Sequence, residues 1–251
     1  MVKRLVLSLF LSICLSFIAF ADSPKPNQAI PLGEDLVYRI TWIGIPVGIG
    51  QLFVREKTTL NGREVYHVVG IVETNKVLSK IFPMHDEAHS FIDAETFESV
   101  QFEKVINELI INTHEKMVFD HDKGKGYFES FKTSEKKEFD IESPVHDAFS
   151  VFYWVRRQDF IPGKSVKTTL VADRKEWALE AKVVKKEKVK IDGKKIDTIR
   201  IEPNTIVEGK EKKGLARFNL TDDASRTPVR ISYKATFGRV TGTLVKVDSE
   251  K

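Results

Sequence analysis

The chain has 251 residues, with 40 Lys+Arg against 36 Asp+Glu, a formal net charge of +4 and 41% hydrophobic residues. That length supports one large core or two closely joined halves, and the near-balanced charge argues against a nucleic acid or other polyanionic partner. The one cysteine, Cys14, lies in the first apolar segment. The chain beyond residue 21 therefore has no thiol for disulfides, thiol catalysis, zinc thiolates or iron–sulfur clusters.

Lys3 and Arg4 precede the apolar run Leu5–Phe20, and Ala19-Phe20-Ala21 has the small-x-small form of a signal peptidase site. These features predict a signal peptide over residues 1–21, cleaved before Asp22, and a periplasmic protein. The run spans about 16 residues where a membrane-crossing helix needs about 20, so no stable membrane span is expected after cleavage. Cys14 follows Ile13 inside the run instead of standing at the cleavage point, which argues against lipidation. Residues 22–31 are polar and proline-containing and read as a flexible leader. Residues 32–251 then read as a single β-rich domain.

Leu36, Tyr38 and Ile40 alternate through Glu34–Trp42, the period of a half-buried strand. Gly44, Pro46, Gly48 and Gly50 follow, interleaved with Ile45, Val47 and Ile49. This pattern predicts a bent or bulged strand, or one that packs backbone to backbone, resuming at Gln51–Lys57. Asn61-Gly62 marks a hairpin turn before the strand Glu64–Val72. Glu73–Phe82 reads as a short helix or a covering loop. Further strands are expected at Glu87–Ile92, Thr96–Lys104, Ile106–Asp120, Gly126–Thr133 and Lys136–Ile141.

Ser143–Phe160 is the one long helical pattern. Ser143 is a potential N-cap and Pro144 a first helical residue. Val145, Ala148, Phe149, Phe152 and Val155 form an apolar stripe, and Pro162-Gly163 ends the element. Strands return at Ser165–Val171, Glu176–Lys188 and Lys195–Glu202, with a hairpin turn at Asp192-Gly193. Pro203–Lys213 reads as a charged loop, followed by strands at Gly214–Leu220, Pro228–Tyr233 and Arg239–Val247. The predicted fold is mainly β: an antiparallel, strongly curved sheet or incomplete barrel with one principal helix packed on it. TTLNGREVYHVVGIV and VKIDGKKIDTIRIEP share a strand–turn–strand form on either side of the helix, which admits two similar halves around helix 143–160.

Polar clusters are few. His85, Glu87 and His89 fall on one side of a predicted strand, an arrangement that zinc or acid/base chemistry could use; the alternative is a half-exposed strand with solvated polar groups. His146-Asp147 is a second candidate, although no HExxH spacing links it to the first, and Asp147 also suits the opening of a helix. Asp222-Asp223 fits a hairpin loop in which an Asp accepts local N–H groups and Arg226 pairs with a carboxylate; the other reading is calcium. Lys182–Lys195 reads as a hairpin with a solvated lysine face, which argues against a nucleic-acid partner. No serine stands in a nucleophile-elbow motif.

GEDLVYRITWIGIPVGIGQL, FPMHDEAHSFID, PVHDAFSVFYWVR and LTDDASRTPVRISYKATFGRVTGTL together resemble the DUF3108 family of exported bacterial proteins, across residues 32–247. The resemblance implies an exported β-rich domain and carries over no catalytic residue. The aromatic inventory, 17 Phe, 5 Tyr and 3 Trp, suits either a filled core or an apolar cavity partly closed by the helix. The expected function is non-catalytic binding of a hydrophobic or amphiphilic envelope ligand, a lipid or other apolar small molecule, through Trp42, Ile45, Phe82, Phe149, Phe152 and Trp154. Alternatives are a structural or assembly factor with an envelope protein partner, and a metal-assisted hydrolase using His85, His89 or His146. No cofactor is expected.

Overall fold

In the computed structural model the described residues are 29–142, 144–172, 174–207, 210–212, 215–236 and 238–248. The expected signal peptide, its cleavage point, most of the 22–31 leader and the proposed N-cap Ser143 lie outside them.

The alternating segments pair into one sheet, antiparallel except at β9. Its first part is a meander of β1 (Asp35–Trp42), β2 (Ile45–Leu60), β3 (Arg63–Thr74), β4 (His85–Asp93), β5 (Ser99–Asn107), β6 (Asn112–Asp120), β7 (Lys125–Ser130) and β8 (Lys136–Asp140). The chain then crosses through β9 (Val145–His146) and the helix α1 (Ser150–Arg156). It returns as β10 (Ser165–Ala172), β11 (Lys175–Ile191), β12 (Lys194–Val207), β13 (Lys210–Lys212), β14 (Ala216–Thr221), β15 (Pro228–Ala235) and β16 (Gly238–Asp248). The last strand pairs with the first, so β1 lies between β2 and β16 and the two meanders merge into a 16-stranded sheet with edges at β8 and β9. Among the described residues no hydrogen-bonded ladder joins those edges, and the sheet is not closed into a barrel. Side chains join them instead: Phe102, Met117, Phe119, Phe128 and Ile141 pack with Val145 and Val171. Arg174 from the far side lies 4.7 Å over the Phe128 ring and pairs with Glu135 at 2.7 Å.

Turn chemistry accounts for several reversals. Asn61-Gly62 and Asp192-Gly193 have positive φ at both central residues, the geometry that matches the twist of paired strands. Glycine interleaving after β1 produces a bulge between Ile40/Thr41 and its partner strand. A Cβ at Gly48 would stand 2.2 Å from the Glu73 carbonyl oxygen, so β2 and β3 approach there as only glycine permits.

Three local expectations are corrected. The helix is Ser150–Arg156 and does not cover 143–160. Val145 and His146 instead form a short parallel ladder with Thr169 and Leu170, and Asp147 caps the helix. The Asp147 Oδ1 accepts from the Phe149 and Ser150 N–H groups, while the Ser150 Oγ accepts from the Asp147 N–H, a reciprocal capping box. Ile106–Asp120 is not one strand. Glu108 N–H donates to the Ile111 carbonyl and the chain reverses there, so apolar Leu109, Ile110 and Ile111 sit in a turn. The Pro203–Lys213 stretch is not a loop throughout, because β12 continues to Val207 and pairs with β13.

Candidate functional site

Helix α1 lies on the concave side of the sheet, where its faces meet several core clusters. Phe149, Phe152, Tyr153 and Trp154 pack with Val54, Tyr66, Val68, Ile92 and Phe97, and Val155 packs with Phe160, Val183 and Ile199. Its most buried side is polar: Ser150, Tyr153 and Arg156. Arg156 makes two 2.8 Å hydrogen bonds to the carboxylate of Glu34 and a third, at 2.9 Å, to the Ser225 carbonyl. Tyr153 donates to the same carboxylate at 3.0 Å, and burial holds its phenol protonated. At the other end Asp147 accepts from the hydroxyls of Ser90 (2.6 Å) and Ser99 (2.5 Å) in addition to its two backbone donors. Burial raises the Asp147 carboxyl, and these four hydrogen bonds oppose that rise. The helix is thus fastened to β4 and β5 at its start and to the segment before β1 at its end.

Beside the fastened helix the sheet lacks side chains. Gly50, Gly70, Ala88 and Gly242 face the helix from four different strands, Ala148 faces them from the capping turn, and Phe149 and Phe152 form the opposite wall. The result is a cavity of about 400 Å³ with an almost wholly apolar lining. A Cβ on Gly70 would come within 2.3 Å of the Phe149 ring, whereas one on Gly242 would meet Tyr38 only at 3.6 Å. Gly70 therefore admits the helix, and Gly242 leaves room beyond it. Ala148, Phe152 and Phe218 also line a second apolar cavity, of about 270 Å³, on the β10–β14 side. The Phe152 and Phe218 rings, 6.5 Å apart, stand between the two.

The larger cavity opens toward one end of the sheet. Ile40, Val72, Ile106 and Val240 line it close to the strand ends at Trp42, Thr74, Asn107 and Gly238, and Tyr233, another lining residue, is half exposed. Among the expected ligand contacts, Phe149 and Phe152 line this cavity, Trp154 packs in the core against His146, and Trp42, Ile45 and Phe82 lie exposed at its open end. The alternation pattern does not single out Gly50, Gly70 or Gly242, because a missing side chain acquires meaning only once the strands are in register.

The histidine candidates are not brought together. Ser90 points to Asp147 beneath the helix, so its neighbour His89 points to the opposite face of β4. There His89 meets His67 at 2.9 Å and Glu87 at 3.0 Å, while His85 is exposed beside Glu73 at 3.5 Å. His67, absent from the sequence-based candidates, stacks on Phe91 at 4.4 Å, and burial lowers its pKa. His146 is fully buried under the helix and hydrogen-bonds the Phe97 carbonyl at 3.0 Å. Among the described residues no group of three or more His, Cys, Asp or Glu is arranged to hold a metal ion. At the Asp222-Asp223 loop, Asp223 accepts from Thr221, Ser225 and Arg226, and Arg226 lies 3.6 Å from Asp222, as a hairpin loop requires.

The family profile described as "Protein of unknown function (DUF3108)" matches residues 37–245. The chain belongs to the DUF3108 family. No curated protein matches it. Among solved structures this DUF3108 chain is similar to a β-barrel-like protein of the DUF1849 domain from Brucella abortus: TM-score 0.58, 14% identity, covering 88% of this chain and 98% of that one. At that identity the likeness concerns the fold, and it supports a barrel-like sheet for DUF3108. Weaker likenesses are to a protein described as a lipoprotein from Parabacteroides distasonis (TM-score 0.38, 8% identity, 90% and 99% covered) and to one described as an exported protein with a YmcC-like fold from Bacteroides fragilis (0.32, 12%, 91% and 100%). At those scores neither carries weight for the fold or its use.

Proposed function

We propose that this DUF3108 protein is exported to the periplasm and binds, without catalysis, a hydrophobic or amphiphilic molecule of the cell envelope in the cavity between helix α1 and the sheet. The observation that carries the reading is the glycine and alanine floor beneath Phe149 and Phe152, which leaves about 400 Å³ of apolar space where a filled core would have side chains. Spaces of that size suit small-molecule ligands, and apolar walls hold an acyl or polycyclic body by burial. The basic start, apolar run and small-x-small site at residues 3–21 support export.

Protein purified from its own envelope under mild conditions, extracted with organic solvent and analysed by mass spectrometry, should release a stoichiometric apolar compound. Gly242→Leu places an isobutyl group in the cavity at a position where a Cβ has ordinary contacts, and should cut the retained compound at least about tenfold with little change in stability. Wild-type protein that releases nothing and takes up no apolar fluorescent probe would overturn the reading.

A further inference from the structure

The open end of the cavity carries an unusual surface. Half of the exposed large hydrophobic side chains among the described residues gather there, at the β1–β2 turn, the 75–84 loop and the β5–β6 turn. Ile110 is 88% exposed, Val77 79% and Ile81 77%, with Ile43 and Phe82 beside them. These tips are neighbours across the sheet. Ile43 N–H donates to the Arg239 carbonyl, Asn75 holds the Val47 and Pro46 carbonyls, and Met84 is bridged to Glu108.

A second observation is independent of exposure. Ile43-Gly44 has the same doubly positive φ pair as Asn61-Gly62 and Asp192-Gly193. At the first position of those turns the chain uses Asn and Asp, which tolerate left-handed backbone; at the cavity rim it uses a β-branched isoleucine, for which that conformation is strained. The Ile43 side chain covers the Gly238 backbone and still stays 64% exposed, so the strained turn holds an apolar side chain at the surface. Cations also flank it. Lys76, Lys80, Lys234 and Arg239 are exposed at the same rim. The nearby acids are Glu73, which lies beside His85, and the neighbouring pair Asp86 and Glu108.

We propose that this rim docks on a phospholipid membrane surface bearing anionic headgroups, with the cavity mouth facing the bilayer. The apolar tips enter the interface, and the surrounding lysines and arginine meet the headgroups. The docking gives the apolar ligand a path between bilayer and cavity, and in that respect rests on the ligand-binding reading.

Flotation of the purified protein with vesicles of phosphatidylethanolamine and phosphatidylglycerol tests it, with phosphatidylcholine vesicles as the uncharged control. The wild type should float with the anionic vesicles and much less with the control. Ile43→Asn should bind about tenfold more weakly while melting at the same or a higher temperature, because the turn is relieved of strain; Ile110→Ser should weaken binding similarly. Lys76→Gln with Lys80→Gln should lose about tenfold on anionic vesicles alone. Gly242→Leu should float like the wild type, which separates docking from cavity occupancy. Failure of the wild type to float, wild-type flotation of both isoleucine variants, or a dimer abolished by those variants in place of vesicle binding would overturn the proposal.

Discussion

Asp147 is a fully buried carboxyl group held by two serine hydroxyls and two backbone N–H groups. Asp147→Ala removes the helix cap and strands two buried hydroxyls, and should lower unfolding stability by about 2–4 kcal/mol in a urea titration. Its neighbour His146 gives a pH signature. Burial pushes the imidazole down to about 4 from 6.5, so in the range between those values the unfolded chain holds a proton that the folded one excludes. The contribution of His146 is therefore complete above about pH 6.5 and falls by about 3 kcal/mol as pH drops to about 4. His67, also lowered, acts in the same direction. Asp147, raised by burial, acts oppositely, since its contribution is lost as pH rises through its titration. Comparing urea midpoints at about pH 7 and about pH 5 should show a shallower loss in His146→Asn, which keeps a donor for the Phe97 carbonyl.

At the scale of the element, helix α1 has seven residues, too few to hold itself in water, and its place is set by its ends. The Arg156–Glu34 pair fixes the C-terminal end with both side chains nearly inaccessible, 6% and 5% exposed. Arg156→Met alone leaves Glu34 charged and buried beside the Tyr153 hydroxyl, and should cost about 3–5 kcal/mol. Glu34→Leu combined with Arg156→Met should recover much of that loss in a double-mutant cycle, because no buried charge then remains. The sequence marks a helix here through its 3.6-residue stripe, yet the stripe extends too far. Val145 satisfies it as well as any helical residue, and only the parallel ladder of Val145 and His146 to Thr169 and Leu170 shows that the two belong to a strand. Arg156 likewise reads as an ordinary C-terminal cation until Glu34, 122 positions earlier, is placed against it.

For the whole molecule the decisive feature is how the sheet curls. The pairing of β1 with β16 joins the two meanders, and the packing of Met117, Phe128 and Ile141 on Val145 and Val171 brings the free edges together around the helix. The enclosed space is divided at Phe152 and Phe218. Phe152→Ala should join the two cavities, allowing a longer apolar probe to bind, with a stability cost of about 3 kcal/mol for the lost ring. A series of fluorescent fatty acids of increasing chain length would show the shift, and unchanged length preference would contradict the connection between the two spaces.

The sequence by itself determined the strand-rich fold, the turns at Asn61-Gly62 and Asp192-Gly193, the single helical segment and the family resemblance. Those properties depend on neighbours within a few residues: alternation, turn chemistry and composition act locally. Its aromatic pattern also picks out Phe149 and Phe152, which line the cavity, but carries no sign that Trp42, Ile45 and Phe82 share a rim. Only the tertiary structure decided that the aromatic helix lies over space. Alternating apolar residues look the same along a packed strand and along a cavity wall. The difference comes from Gly70 pairing with Ala88 while Gly50 and Gly242, on β2 and β16, line the same cavity, a long-range arrangement that no local pattern encodes.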